Sequence, residues 1–311
     1  MHRLRASLWI LLAACGLASC MALDAPVREA PAYTRTADNY RAFADADALA
    51  AYLRAGSEAG PLVSAHRGGP APAYPENAIA TFERSLRHTP ALIECDVRMT
   101  QDSVLVLMHD ETLNRTTTGE GPVADQPFAA LRALLLVDGF GVITPFRIPT
   151  LDEVLAWSRG RAVLTLDVKN DVPSPAIVRA VRRMKAENRV VLITYTLAAA
   201  QRFHRLAPDL MISATAETPA DVQALLDSNI DGSRLIVFTG VGEVKPEVIA
   251  PLHQHGIRAM LGTFGLVDER AREGGIAVYQ ALIERGIDVI ATDTVPLAAE
   301  AVEAYRTVEQ R

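Results

Sequence analysis

IECDVRMTQDSVLVLMHD, residues 93–110, decides how this chain folds. Two apolar runs, one ending near Met99 and one over 104–108, are separated by only a few polar residues. A parallel crossover needs a dozen or more residues, so the two runs must pair as an antiparallel hairpin. With the turn centred on Gln101 and Asp102, residue 99 faces 104 and Glu94 faces His109, to within about one residue of turn length. The second run is then an extension of the strand before it and not a barrel strand of its own.

Outward from this hairpin, short apolar runs fall at 61–66, 91–97, 162–168, 190–194, 210–213, 234–238, 257–261 and 287–291. Between most of them lie amphipathic stretches such as SPAIVRAVRRMKAE, TPADVQALLDSN and GGIAVYQALIERG, each closing near Gly or a polar turn. Strand and helix alternating over roughly 250 residues predict a parallel (β/α)8 TIM barrel. The hairpin extends it after strand two, and a short insertion sits at the mouth before strand three. A doubly wound open sheet is disfavoured: HRGGPAPAYPEN after the first strand breaks the Gly-rich phosphate pattern and is full of proline.

The 311 residues are 50% hydrophobic and 22% charged, an ordinary soluble composition. Net charge is −6 with Lys and Arg scattered, which argues against a nucleic-acid partner. Residues 1–20 read as an export signal, with Arg3 and Arg5 ahead of an apolar run too short to span a bilayer. The run ends in Leu17-Ala18-Ser19-Cys20, which resembles the lipobox of bacterial lipoproteins. That resemblance implies lipidation at Cys20, with Leu12-Ala13-Ala14-Cys15 as a less favoured box and a plain secretory signal as the alternative. A lipid anchor of more than one chain would hold the exported protein on an envelope membrane. Residues 21–60 are expected to form a tether and an N-terminal helix through Phe43, Ala46, Leu49, Ala50 and Leu53, and 61–311 the barrel domain. Cys95, between Glu94 and Asp96, points away from both and reads as a buried hydrophobe.

Residues two apart on a strand share a face, so Glu94 projects with Asp96, and Asp167 with Lys169. Both pairs, like His66, stand late in their strands and converge on the C-terminal mouth. Unpaired carboxylates this close repel by roughly 4 kcal/mol per pair at 4 Å and an effective dielectric of 20. A divalent cation on Glu94, Asp96 and Asp167 removes that repulsion. With no thiolate and no histidine pair at zinc spacing, a hard ion, Mg2+ or Ca2+, is expected. His66 and His109 are the expected acid and base. Arg67 and Lys169 suit a phosphate, the first as a fork and the second as a point charge. Glu76 and Asn77 open the first helix, either orienting Arg67 or touching substrate. His253 and His255 are expected on the opposite face as surface residues.

His66-Arg67-Gly68, Pro75-Glu76-Asn77, Glu94-x-Asp96, His109-Asp110 and Asp167-x-Lys169 together resemble the glycerophosphodiester phosphodiesterase family, over nearly all of 61–306. The resemblance implies hydrolysis of glycerophosphodiesters to glycerol 3-phosphate and an alcohol, with the same three metal positions. Two departures matter. Many members of the family have Glu where Asp167 stands, while a sphingomyelinase D-like branch has Asp. Phe264 stands where the family often has Trp. Cleavage of lipid head groups by a phospholipase D-type enzyme therefore remains an alternative, with LVDGFGVITPF as part of an apolar rim. So does an inert envelope binding protein. Oligomeric state is not legible.

Overall fold

A computed structural model of the protein describes residues 39–57 and 59–309. Its strands are β1 (Leu62–Ala65), β2 (Leu92–Met99), β3 (Leu105–Leu107), β4 (Val163–Val168), β5 (Val190–Thr194), β6 (Met211–Thr215), β7 (Leu235–Val241), β8 (Arg258–Gly262) and β9 (Val289–Thr292). β1 pairs in parallel with both β2 and β9, and the parallel chain of pairings from β2 through β4 to β9 closes a barrel. β3 lies outside the ring, antiparallel to the end of β2. Helices α1 (Ala46–Tyr52), α2 (Ile79–Ser85), α3 (Phe128–Leu131), α4 (Leu151–Trp157), α5 (Ser174–Arg183), α6 (Leu197–Leu206), α7 (Pro219–Leu226), α8 (Pro246–Gln254), α9 (Leu266–Gly274), α10 (Ala277–Glu284) and α11 (Val295–Glu309) complete the chain. Several are started by their own caps: Thr150 with Glu153 and Thr218 with Asp221 form reciprocal capping boxes.

The strands are dense in Val, Ile and Leu because both faces are covered, by helices outside and by other strands inside. Alternation along β2 and β4 sets up the site. Leu92 lies in register with Val163, Glu94 with Thr165 and Asp96 with Asp167. One face of each strand thus runs from apolar at its start to acidic at its end, while Cys95 turns to the outer core and is fully buried there. At the N-terminal end of the barrel, Leu62, Leu92, Val163, Val191, Met211, Ile236 and Val289 meet Leu49, Ala50 and Leu53 of the α1 segment. Leu49 and Leu53 are completely buried, worth roughly 1.5–3 kcal/mol each. The expected N-terminal helix is therefore a plug at the foot of the barrel.

The hairpin differs from its sequence reading by one residue: Met99 pairs with Leu105 and Val97 with Leu107. The loop is three residues, 101–103, closed by Thr100 N donating to Val104 O at 3.0 Å, with Ser103 at φ 63 in the left-handed position such loops require. Met108 N donates to Asp96 O at 3.0 Å, so His109 still emerges beside the end of β2. The insertion beyond it, with α3 and α4, has a small core of its own around Val106, Met108, Leu113, Leu131 and Ile148.

Candidate active site

One cavity of about 390 Å³ opens at the C-terminal ends of the strands. His66, Arg67, Glu94, Asp96, His109, Asp167 and Lys169 all line it. Glu94, Asp96 and Asp167 are buried, and they offer carboxylate oxygens within 4.8 Å of one another. Asp167 Oδ1 is buried without a hydrogen-bond partner, an unsatisfied acceptor of the kind a cation would complete.

The expectation that only a cation could balance these charges is corrected in part. Lys169 Nζ lies 2.6 Å from Asp96 Oδ1 and 2.5 Å from Asp167 Oδ2, so a lysine already serves two of the three. Among the described residues Glu94 has no such partner and accepts the Arg67 backbone N–H, at 2.6 Å. Burial, then the charge of Asp96, pushes its pKa far above the usual carboxylate range. For Asp96 burial acts in the same sense but is outweighed by Lys169 and by the Asn77 amide, so its pKa is lowered. Two carboxylates two residues apart are thus driven in opposite directions.

Backbone geometry in the segment after β1 builds the rest. Arg67 and Asn77 both have positive φ, 50 and 58. Gly68 at φ 85 has no room for a Cβ, which would sit in the Phe82 ring. The turn aims the Arg67 N–H at Glu94 and the Asn77 side chain at Asp96, whose backbone N–H it accepts at 2.9 Å while donating to Oδ2 at 2.8 Å. Glu76 receives Arg67 Nη1 at 3.2 Å. Each histidine holds an aspartate through Nδ1 at 2.8 Å, His66 with Asp293 and His109 with Asp110. That leaves Nε2 for proton exchange. Burial lowers the His66 pKa, but the Asp293 hydrogen bond and the charge of Glu94 outweigh it, so the net shift is upward. Buried acids, paired imidazoles and a guanidinium in one cavity suit hydrolysis of a phosphodiester.

The glycerophosphoryl diester phosphodiesterase family model matches residues 66–297. The chain belongs to this family. The protein YqiK of Bacillus subtilis is 31% identical over 251 residues, 74% of this chain and 94% of its own. The glycerophosphodiester phosphodiesterase of Caldanaerobacter subterraneus subsp. tengcongensis is 28% identical over 239 residues, 75% of this chain and 93% of its own. Among solved structures, a glycerophosphoryl diester phosphodiesterase from Parabacteroides distasonis superposes with a TM-score of 0.78 at 35% identity, covering 86% of this chain and 94% of that one. A phosphodiesterase of Oleispira antarctica, solved with the product sn-glycerol-3-phosphate, shares the fold with a TM-score of 0.63 at 20% identity, covering 78% and 97%. The chain is a hydrolase of glycerophosphodiesters built on a TIM barrel.

This phosphodiesterase has site residues that its sequence did not announce. Arg115 donates to both carboxylate oxygens of Glu76, at 2.9 and 2.8 Å, and to Asp110, holding the Asp110 carboxyl far below its usual range. Arg98 donates to the His109 carbonyl at 3.0 and 2.9 Å. Tyr195, one residue past β5, donates to Asp167 Oδ2 at 2.9 Å, and its place just beyond a strand end was the available signal. Phe264, at the position of the departure from Trp, stacks on His66 with centroids 4.4 Å apart.

The rim is also corrected. Phe140, Val142, Ile143 and Phe146 of that LVDGFGVITPF run do not line the cavity. Val142 is tied by its N–H to Asp138, Ile143 pairs with Val137, and Phe146 packs on the insertion's own core. Thr116 and Thr117 are buried. The apolar wall is instead Ile193, in register with Asp167, together with Phe238, Val241, Met260 and Phe264. His253 and His255 lie outside the cavity, at the end of α8, bonded to Asp288 and to the Pro251 carbonyl.

Proposed function

We propose that this enzyme cleaves glycerophosphodiesters to glycerol 3-phosphate and an alcohol with Glu94, Asp96 and Asp167 holding a divalent cation and with His66 and His109 carrying protons. The observation that supports it is the buried triad of carboxylates, with an unpartnered Asp167 oxygen, between two aspartate-held imidazoles. An all-oxygen donor set fits Mg2+ or Ca2+. When bound, such an ion neutralises the acids and polarises a phosphoryl oxygen. Arg67 grips the phosphate, and Lys169 adds positive charge next to it. One imidazole takes the proton of an attacking water, or of the neighbouring glycerol hydroxyl, in which case a cyclic phosphodiester forms and a second attack, by water, opens it to glycerol 3-phosphate. The other returns a proton to the departing alcohol, so the cleaved oxygen leaves neutral.

Purified protein with glycerophosphocholine and added Mg2+ or Ca2+ should release glycerol 3-phosphate and choline. Phosphocholine as the main product rejects the bond assignment. A second reading is supported by the apolar wall on β5, β7 and β8, whose Val241 is exposed at the surface. This wall suits a substrate with an apolar arm, as in phospholipase D-type cleavage. Lysophosphatidylcholine assayed beside glycerophosphocholine separates the two, and a strong preference for the lyso-lipid promotes the second.

The export signal and lipid anchor belong to the same proposal. Cys20 and Cys15 lie outside the described residues, and no helix among those described is long and apolar enough to cross a membrane. Cys20→Ser should release the protein from the membrane fraction with its specific activity retained. The mass of the mature N-terminus decides between Cys20, Cys15 and no lipid.

A further inference from the structure

Behind His66, on the side away from the acids, lies a polar cluster that the reaction does not touch. Asp268, in the first turn of α9, is completely buried. Its Oδ1 accepts from the Tyr279 hydroxyl and from Thr292 Oγ1, both at 2.8 Å, and its Oδ2 accepts from the Asp293 backbone N–H at 2.8 Å. Tyr279 and Thr294 are hydrogen-bonded to each other, and Thr294 N donates to Thr292 Oγ1 at 2.9 Å. Burial pushes the Tyr279 hydroxyl up to about 12, so it stays protonated and can donate.

Two supports of the His66 ring meet at this carboxylate. Asp293, whose N–H it receives, holds His66 Nδ1 at 2.8 Å. Phe264, which covers a face of the ring, sits in the loop between β8 and α9. Asp268 N closes that loop by donating to Thr263 O at 2.9 Å, and Thr263 N donates to Ala291 O at 2.7 Å. We infer that Asp268 is a positioning residue for this reaction, fixing the backbone of Asp293 and the Phe264 loop and through them the orientation of His66. A buried carboxylate is costly to place unless its hydrogen bonds are met. Here they are met by the segments that bear on the ring.

The inference rests on His66 as a proton carrier. Asp268→Ala and Asp268→Leu remove the acceptor, the second while filling its space. Both should lower kcat about ten- to a hundredfold, as loss of a supporting partner typically does, with KM within about twofold. Asp268→Asn keeps an oxygen for the Asp293 N–H while its amide meets hydroxyls that can rotate to accept, so it should restore most of the rate. In an Asp293→Ala background the Asp268 changes should cost several-fold less than in the parent, because only the Phe264 route to His66 remains.

Should both acceptor-free variants fail to fold, Tyr279→Phe carries the test. It removes one of the two donors to Asp268 Oδ1 and should lower kcat about two- to fivefold in the parent and by less in Asp293→Ala. Losses that add in the double variants, or an unchanged kcat in the parent, overturn the inference. His66→Ala with normal turnover removes the basis instead. An inactive His66→Ala with additive Asp268 and Asp293 losses removes only the positioning role.

Discussion

At the foot of the barrel, Leu92 of β2 and Val163 of β4 pack with Leu49 and Leu53 into a closed apolar layer. Two and four residues further along, the same strands carry Glu94, Asp96 and Asp167 at the mouth, with Asp167 Oδ1 buried and unpartnered. Each end also has a histidine bonded to an aspartate at 2.8 Å, His66 with Asp293 at the mouth and His253 with Asp288 at the foot. The bond lengths match and the settings do not. Near His66 lie Glu94, a stacked ring and a cavity. Asp288 Oδ2, which holds His253, also accepts the Ala259 backbone N–H at 2.7 Å, a scaffold bond. An imidazole–carboxylate pair is therefore no site in itself. Reactive character comes from the unsatisfied groups beside it.

Substitution of the paired histidines gives the largest contrast. His66→Ala or His109→Ala should reduce kcat by about 10²- to 10⁴-fold with the unfolding midpoint little changed, while His253→Ala stays active. Equal activities of the mouth and foot variants would break the comparison. Chelation comes next: prolonged dialysis against EDTA should cost at least about a hundredfold, since a lost Lewis acid forfeits several kcal/mol of stabilisation. Mg2+ or Ca2+ should restore the rate, and full turnover in excess EDTA would show that the acids need no cation.

At the foot the effect should be on stability and not on rate. Leu53→Ala should cost about 2–5 kcal/mol of unfolding free energy and leave kcat unchanged well below the transition, as denaturant melts and assays at low temperature can check. The smallest effect belongs to pH. The Asp288 hydrogen bond raises the His253 pKa, so the pair's contribution is fully present below the unfolded value of about 6.5. It is lost as pH rises through the folded value. The pair is partly exposed, so the gap between parent and His253→Ala should be under about 1 kcal/mol at pH 5.5 and should close by pH 8.5. A gap that widened with pH would contradict the assigned direction.

The strand count and the gathering of His66, Glu94, Asp96, His109, Asp167 and Lys169 were legible because side-chain alternation on buried strands is a local rule. So was the hairpin, except that a non-glycine residue, Ser103, took the left-handed place and lengthened the loop by one. What stayed hidden depends on closure in space. Arg115 reaches Glu76 across 39 residues of chain, and no spacing marks that partner. The rim differs for a related reason: Phe146 packs on the insertion's own small core and Phe140 stands exposed outside the cavity, while the apolar wall comes from strands whose inward turn no periodicity distinguishes from packing.

Pairing of β9 with β1 joins nearly the two ends of the described chain. A ribosome reaches β9 last, so a growing polypeptide that already contains both histidines and all three acids still lacks Asp293 and an unbroken ring of strands. Such distant pairing is slow to form. Until that pairing forms, the ring stays open and His66 lacks the Asp293 carboxylate that holds it.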